Sequence, residues 1–500
     1  MGVSAPSLVA EVRAVLRGAV EVYAGSVEAV TLRAMLDRLD EPLRVAVAGK
    51  VKAGKSTLLN ALVGEEIAAT DFSECTQIVT WYRGGLTPRV TLCSRNGAVR
   101  QVPLGREGGA LAIDLRGTPP AAVERIVVDW PSSRLRTMTL IDTPGIASIS
   151  AETSARTHAF LAPADAPAPA DAVLYLMRHL HETDARFLES FHDDRVARAT
   201  PVNAIGVLSR ADEIGVGRID SLFSARRIAK RYRSDPQVRR LCQTVVPVSG
   251  LLAQVGMTLR EAEYAALVRV ATAPHDEAEG LLLSADRFAC AQTSIPLAPE
   301  ERAALLRRFG LFGLRLASAL IRRGATSASE LAAQLVRRSG LDELREVLAI
   351  QFTERRDLLK ARSALLALDQ VLRLQPRPGT GPLAADVERI LAGAHAFAEL
   401  RLLNGLRTGA VAFGSGELDD AERLLGGAGA SPGARLGLPV EAGVDELRRA
   451  ALDALAVWQR RAESPLSPRA AADAARVVVR TCEGLLAALA DPPPLSEAER

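Results

Sequence analysis

The chain has 500 residues, 48% of them hydrophobic and 24% charged, a balance that excludes a disordered protein and a length that exceeds one compact core. Its 62 basic and 59 acidic residues leave a formal charge of +3, too near parity to imply nucleic acid or an acidic partner. Five scattered cysteines without a C-x-x-C pair suggest neither a disulfide framework nor a zinc site and fit a reducing compartment.

Residues 7–40 predict helix, because Leu8, Val12, Val15, Leu16, Ala19 and Val22 recur at three- and four-residue spacing. A break is expected at Gly25-Ser26, with Ser26 able to cap a second helix carrying Val27, Val30, Ala34 and Leu39. Glu11, Arg13 and Arg17 interrupt the first apolar stretch and exclude a signal-peptide h-region. No later window offers a long enough uncharged apolar run for a membrane span. From Leu43 the period changes to short β-branched runs: "LRVAVA", "TQIVTWY", "RVTLC" with the hairpin signal Asn96-Gly97, "ERIVVDW", "TMTLID", "AVLYLM", "NAIGVLS" and "TVVPVS". Fully apolar strands alternating with helical stretches predict a mainly parallel sheet with helices on both faces. After about residue 252 only helices are expected: one around 256–288, one from Pro299 to Gly324, and one in "TSASELAAQLVRRSG". From Leu341 a run of about 30 residues without Gly or Pro predicts a single helix roughly 50 Å long. It ends at "QPRPGTGP" (375–382), and further helices follow near 384–407, 418–426, 442–462 and 467–490.

The stretch "VAVAGKVKAGKSTLLNALVG" places three of the chain's five lysines, Lys50, Lys52 and Lys55, in one loop. Gly49, Lys50, Val51, Lys52, Ala53, Gly54, Lys55, Ser56 and Thr57 fit the phosphate-loop pattern G-x-x-x-x-G-K-[ST], after a buried strand and opening a helix. Such a loop turns backbone N–H groups inward, and the helix N-terminus adds its partial positive charge. Lys55 would reach the β- and γ-phosphates and the Ser56 hydroxyl would ligate Mg²⁺, a hard ion that takes oxygen donors. A compact ammonium suits that cradle better than a planar guanidinium. Lys50 and Lys52 are read as adding field or meeting a partner across the nucleotide. "LIDTPG" sets Asp142 at a strand end, where it can hold Mg²⁺ through water, and Gly145 where its N–H can sense a γ-phosphate. "LSRAD" follows another apolar strand. Asp212 can accept hydrogen bonds from N1 and N2 of guanine, a donor pair that adenine lacks, while the stem of Arg210 lies over the base beside Ser209. Ser249 and Gly250 of "VPVSG" can offer N–H groups to guanine O6, and Thr76 stands where a switch threonine would bind Mg²⁺ and the γ-phosphate. His179 and His181 are spaced like a metal pair, but no carboxylate or cysteine pattern completes a site, and they are read as a solvated loop.

At these residues the chain resembles the bacterial dynamin-like GTPases. "VLSRADEIG", "VPVSGLL", "RFGLFGLRLA" and "RRSGLDELREVL", in a chain of this size, resemble most the mycobacterial isoniazid-inducible proteins, the shorter kind among them. The resemblance implies an α/β P-loop GTPase domain joined to an elongated all-α helical stalk or bundle. It divides the chain into N-terminal helices that return to the stalk (1–40), a GTPase core (41–255), a helical extension of that core (256–340) and a helical neck or stalk (341–500). It implies GTP and GDP as ligands, Mg²⁺ as cofactor, homo- or hetero-oligomers formed through the GTPase heads, and remodelling or maintenance of the plasma membrane or cell envelope under stress. The location implied is cytoplasmic, with peripheral contact on the inner face of the plasma membrane and no nucleic acid.

The chain departs from related GTPases where Val51 and Ile146 stand in place of a water-orienting glutamine, so catalysis would rest on Lys55, Ser56, Thr76, backbone groups, Lys52 or a partner head. Membrane contact would fall to loop 375–384, with Arg373 and Arg377 meeting anionic lipid, or to 406–417, with Val411 and Phe413 inserting; both stretches also read as plain helix-joining loops. The contrasting function is a nucleotide-gated regulatory scaffold that binds a dynamin-like partner without deforming membrane. A ribosome-assembly GTPase would want a basic RNA-binding module, which neither the charge balance nor the helical part supplies.

Overall fold

The computed structural model describes residues 7–68, 78–107, 110–145, 168–189, 203–215, 218 and 220–490. Two helices, α1 (Leu8–Val22) and α2 (Val27–Arg38), precede β1 (Leu43–Gly49), and α3 (Lys55–Val63) follows it. Ser26 does not cap α2; its hydroxyl donates to the Tyr23 carbonyl (2.8 Å). The next strands are β2 (Val79–Gly84), β3 (Arg89–Ser94), β4 (Val99–Val102), the hairpin β5 (Leu104–Glu107) and β6 (Ala110–Ile113), β7 (Val123–Trp130) and β8 (Met138–Asp142). The head continues through β9 (Ala172–Met177), α4 (Glu182–Glu189), β10 (Ala204–Ser209), α5 (Ser221–Ser234), α6 (Pro236–Leu241), β11 (Val245–Val248) and α7 (Gly250–Thr258).

The described strands form a nine-stranded sheet in the order β11-β10-β9-β1-β8-β2-β7-β3-β4, with β5 and β6 paired apart from it. From β11 to β8 every pairing is parallel. All six residues of β9 and of β10 are buried, as expected of strands covered on both faces. Beyond β8 the sheet turns mixed: β2 runs antiparallel to β8, and the Asn96-Gly97 turn joins β3 and β4 as a hairpin. The parallel half brings the ends of β1, β8, β9, β10 and β11 to one edge, where an open α/β sheet binds its ligand.

The helical stretch expected at 256–288 is divided. After α7, α8 (Glu261–Thr272) starts where the Glu263 side chain accepts from the Arg260 N–H (3.0 Å), α9 (His275–Leu281) follows Pro274, and α10 (Ala285–Cys290) is capped by Ser284. With α11 (Pro299–Arg322) they enclose a separate core around Leu267, Phe288, Phe309 and Leu320. Helix α11 kinks at Gly310 (φ 62°, ψ 167°). Then α12 (Ala328–Ser339) packs on α7, and α13 (Leu341–Leu348) lies against β11 and α3.

The single long helix expected from Leu341 is interrupted. Residues Ala349–Thr353 form a wide π turn, Arg355 leaves helical geometry (φ −101°, ψ 13°), and α14 (Arg356–Leu374) starts afresh. Gln351 Nε2 donates to the Gly427 carbonyl (3.0 Å) and the Arg355 guanidinium donates to that of Gly426. Helix α14 then bundles with α15 (Thr380–Gly393), α1 and α2; Val12, Leu16, Leu365, Leu368 and Val387 belong to a core continuous with one face of the sheet. A second helical body comprises α16 (His395–Thr408), α17 (Ser415–Leu424), α18 (Pro432–Leu436), α19 (Val444–Glu463) and α20 (Arg469–Ala490), packed around Trp458, Val478 and Cys482. It meets the head where Glu422 pairs with Arg239 of α6 and with the largely buried Arg407. Phe413, expected to be available for insertion, is partly buried and stacks edge-on against Trp458 (5.3 Å), and Val411 packs on the same core. Arg377 lies over the Tyr23 ring and pairs with Glu28 (3.4 Å), while Arg373 pairs with Asp369 (3.1 Å).

Candidate nucleotide site

The loop between β1 and α3 starts at Gly49, whose φ of 149° and close approach to β9 both require glycine: a Cβ there would stand 2.5 Å from the Leu176 carbonyl oxygen. Lys52 adopts a left-handed φ of 62°, and Gly54 (φ 91°) leads into α3 with Lys55 as its first residue. The Lys55 ammonium folds back on its own loop, donating to the carbonyls of Gly49 (3.3 Å) and Lys50 (3.4 Å). Burial lowers its pKa, against the opposing pull of Asp142. A cation held in this way at a helix N-terminus is favourably placed for an anion. Ser56 Oγ donates to Asp142 Oδ2 (2.8 Å), and burial pushes the Asp142 carboxyl up, with Lys55, Ser56 and the Thr143 N–H opposing. A desolvated carboxylate beside a hydroxyl is a hard-oxygen donor pair, so these residues fit Mg²⁺. Beyond it Thr143 Oγ1 donates to the Val47 carbonyl (2.9 Å), fixing the end of β8 on β1.

A cavity of about 150 Å³ opens beside the loop, lined by Gly54, Thr57, Ser209, Arg210, Asp212 and Gly250 among others. Ser209 is buried and its hydroxyl donates to the Met177 carbonyl (3.2 Å). Arg210 takes a left-handed φ of 53° and pairs with Glu213, which also meets Arg178 (3.3 Å). Burial raises the pKa of Asp212, and a hydrogen bond with Ser249 pulls the other way. Ser249 caps α7 by accepting from the Leu252 N–H (3.3 Å), and its own N–H donates to the Ser339 carbonyl (2.8 Å). Ala53 is buried and also lines the cavity.

The sequence-derived residues on β1, α3, β8, β10 and α7 therefore meet at one edge of the sheet. Thr76 and Ile146 lie outside the described residues. Gly145 is pressed against Val51: a Cβ on it would come within 2.5 Å of Val51 Cγ2. His179 and His181 are exposed with their rings edge-on at 6.5 Å, and among the described residues no group of three or more His, Cys, Asp or Glu side chains gathers around them or elsewhere to hold a metal ion.

Three contributors are not evident in the sequence motifs. The side chain of Lys50 turns away to Asp184 (3.0 Å), a carboxylate also holding the Tyr175 hydroxyl (2.6 Å) and the His181 N–H (2.9 Å). Glu213 braces Arg210 of the "LSRAD" motif. Gly340 (φ 84°) presses the start of α13 onto β11, where a Cβ would meet the Pro247 carbonyl oxygen at 2.1 Å. The Ser-Gly pair before "LDEL" signals a helix boundary, but which strand it abuts is set by tertiary packing.

This cleft and sheet order are those of a P-loop nucleotide-binding domain, and the model of the dynamin family matches residues 45–211, from β1 to just before Asp212. The chain belongs to the dynamin family, a family of GTPases, and within it to the group represented by the isoniazid-induced protein IniC of Mycobacterium tuberculosis (strain H37Rv). It is 44% identical to that protein over 483 residues, 95% of this chain and 98% of the relative. The isoniazid-induced protein IniA of the same strain is 27% identical over 234 residues, 45% of this chain and 33% of that one. The bacterial dynamin-like protein of Nostoc punctiforme is 43% identical over 54 residues, 11% of this chain and 8% of its own. A solved structure described as an oligomerised bacterial dynamin pair aligns with 96% of this chain and 73% of its own at 14% identity, with a TM-score of 0.30, too low to carry an argument.

Proposed function

We propose that this chain binds GTP with Mg²⁺ and hydrolyses it, slowly alone and faster when heads pair, and that its helical bodies couple that cycle to maintenance of the plasma membrane or envelope under stress. The observation that carries the reading is the cavity joining Gly54 and Thr57 of the phosphate loop to Ser209, Arg210, Asp212 and Gly250. It brings the phosphate-binding and base-reading motifs into one cleft. Lys55 would exchange its two carbonyl contacts for β- and γ-phosphate oxygens, with the loop N–H groups of 50–54 lining the phosphates and Thr57 beside them. Asp212 would accept from guanine N1 and N2, and Gly250 would offer its N–H to O6; the Ser249 N–H, expected to share that role, is instead held by the Ser339 carbonyl (2.8 Å). Ser56 and, through water, Asp142 would hold the Mg²⁺, with Thr76 a further ligand. When bound, the ion supplies positive charge to the phosphate oxygens. The Gly145 N–H would sense the γ-phosphate. No described helix is long and apolar enough to cross a membrane, so the membrane contact proposed is peripheral, from the cytoplasmic side.

Val51 packed on Gly145 favours a second reading. An apolar side chain there cannot orient water, which suits a nucleotide-gated scaffold that waits for a dynamin-like partner. GTP turnover across a protein concentration series, with Lys55→Ala as control and anionic liposomes added or withheld, decides between them. Turnover per molecule that rises with concentration or lipid and vanishes in the variant supports the GTPase machine. Tight GTP binding with flat or absent turnover supports the scaffold, and absence of GTP binding refutes both.

A further inference from the structure

We infer that Asp184 is a positioning residue for the phosphate loop, acting on Lys55 through Lys50; the inference rests on the GTP-binding reading of the same cleft. The Asp184 side chain is 1% exposed, and its carboxylate has three partners: the Tyr175 hydroxyl on Oδ1, and the His181 N–H and the Lys50 ammonium on Oδ2. A carboxylate so far from water is costly unless paired, so its contacts are held firmly. Tyr175 lies on β9 directly beside Ala48, and Gly49 is already pressed on Leu176 of the same strand. The ion pair therefore ties the first loop residue after β1 to α4, just beyond the point where the β1–β9 register ends at Gly49 and Leu176.

The consequence falls on the backbone. Lys50 gives its side chain to Asp184 and its carbonyl to the Lys55 ammonium, so one residue connects the buried carboxylate to the phosphate-binding cation. A cradle of backbone N–H groups works by being set before the ligand arrives. Of the three loop lysines, Lys50 is thus removed from direct phosphate contact and serves as an anchor. The segment after β9 braces the base side as well, since Arg178 meets Glu213, which holds Arg210. Among the described residues that follow β9, Asp184 is the one that reaches the phosphate side.

The test is competition by GTP, GDP and GMP against a fluorescent GDP analogue on the full chain, for wild type, Asp184→Asn, Lys50→Met and the double variant, with thermal unfolding followed in parallel. GMP engages the base cavity with little of the loop, so it separates a misplaced loop from a damaged fold. Each single variant is expected to weaken GTP and GDP about tenfold while GMP stays within about twofold. The double variant is expected to be no weaker than the worse single, because both changes break one contact. Lys50 is half-exposed, so Lys50→Met reports even where Asp184→Asn fails to fold. Unshifted GDP affinity in the variants, additive losses, or a GMP loss equal to that of GDP overturns the positioning role while leaving the GTP reading intact. A wild-type chain that binds no guanine nucleotide overturns both.

Discussion

Glu399 of α16 offers a stability test whose size follows from the structure. Its carboxylate accepts from Arg435 of α18 at both oxygens (2.8 and 3.3 Å) and from Thr481 of α20 (2.9 Å), and His395 stands 3.5 Å away. Burial alone would push this carboxyl up; His395 beside it and the charge and hydrogen bonds of Arg435 overcome that and hold the group at about 2, against an ordinary 4.5. At 1.36 kcal/mol per pH unit, that depression corresponds to about 3 kcal/mol at neutral pH. The folded pKa is depressed, so the contribution is complete above about 4.5 and is lost as pH falls towards 2. Glu399→Gln keeps the shape and removes the charge. Urea unfolding followed by fluorescence, in a Trp81→Phe and Trp130→Phe background so that Trp458 of the same body reports, should show the variant less stable by about 3 kcal/mol at pH 7 and by only about 1 at pH 3. A gap below about 1 kcal/mol at pH 7, or one that does not narrow with acid, would refute the reasoning.

Three further outcomes are expected. Asp212→Asn should lower GTP affinity by roughly a hundredfold or more, since two charge-assisted hydrogen bonds of about 1.5–3 kcal/mol each are disturbed, and should raise the affinity for xanthosine triphosphate, as nucleotide competition would reveal. Gly340→Ala forces a Cβ onto the Pro247 oxygen in a left-handed conformation, so thermal unfolding should show a loss of about 2–4 kcal/mol, with weaker GTP binding because β11 leads directly into Ser249 and Gly250. Arg239→Ala should raise hydrogen exchange in Pro236–Leu241 and in 416–427 while GTP affinity stays within about twofold, because Arg239 joins the head to the second helical body away from the cleft.

What was legible in the sequence follows from how local its cause is. β1, β9 and β10 could be read because strands buried on both faces spell continuous apolar runs, and the phosphate loop because glycine and lysine at fixed offsets serve one local geometry. The helix ends at Gly25, Pro299 and Gly340 carry their own breakers. The break at Ala349–Thr353 carries none: its polar partners, Gly426 and Gly427, lie more than seventy residues further on. The same applies to Asp184, which lies 134 positions from Lys50, and to Phe413, whose ring contact with Trp458 joins the loop before α17 to α19. Helical periodicity gave a continuous rod from Leu341 because it registers apolar spacing and is blind to a side chain drawn aside by a distant carbonyl.

The position of α13 gives that break a mechanical meaning. Leu341, Leu344 and Leu348 are buried at helical spacing, its first turn is pressed on β11 by Gly340, and Arg345 donates to the Ala61 carbonyl of α3 (3.1 Å). One short helix therefore touches the strand that leads into Ser249 and the helix that starts at Lys55, on the two sides of the proposed nucleotide cleft. Its apolar face is packed, and packed faces do not slide continuously. Immediately after it the chain is held by a polar clasp, Gln351 and Arg355 on two glycine carbonyls and Glu354 on the Ala430 N–H (2.7 Å). Gln351, Arg355 and Gly426 are buried, so these groups need new partners if the clasp opens, whereas moving α13 would unpack three leucines. A displacement between α3 and β11 would therefore carry α13 along as a rigid piece, and any adjustment after it would fall first on residues 349–355, where the π turn and the non-helical Arg355 already interrupt the helical hydrogen-bond ladder.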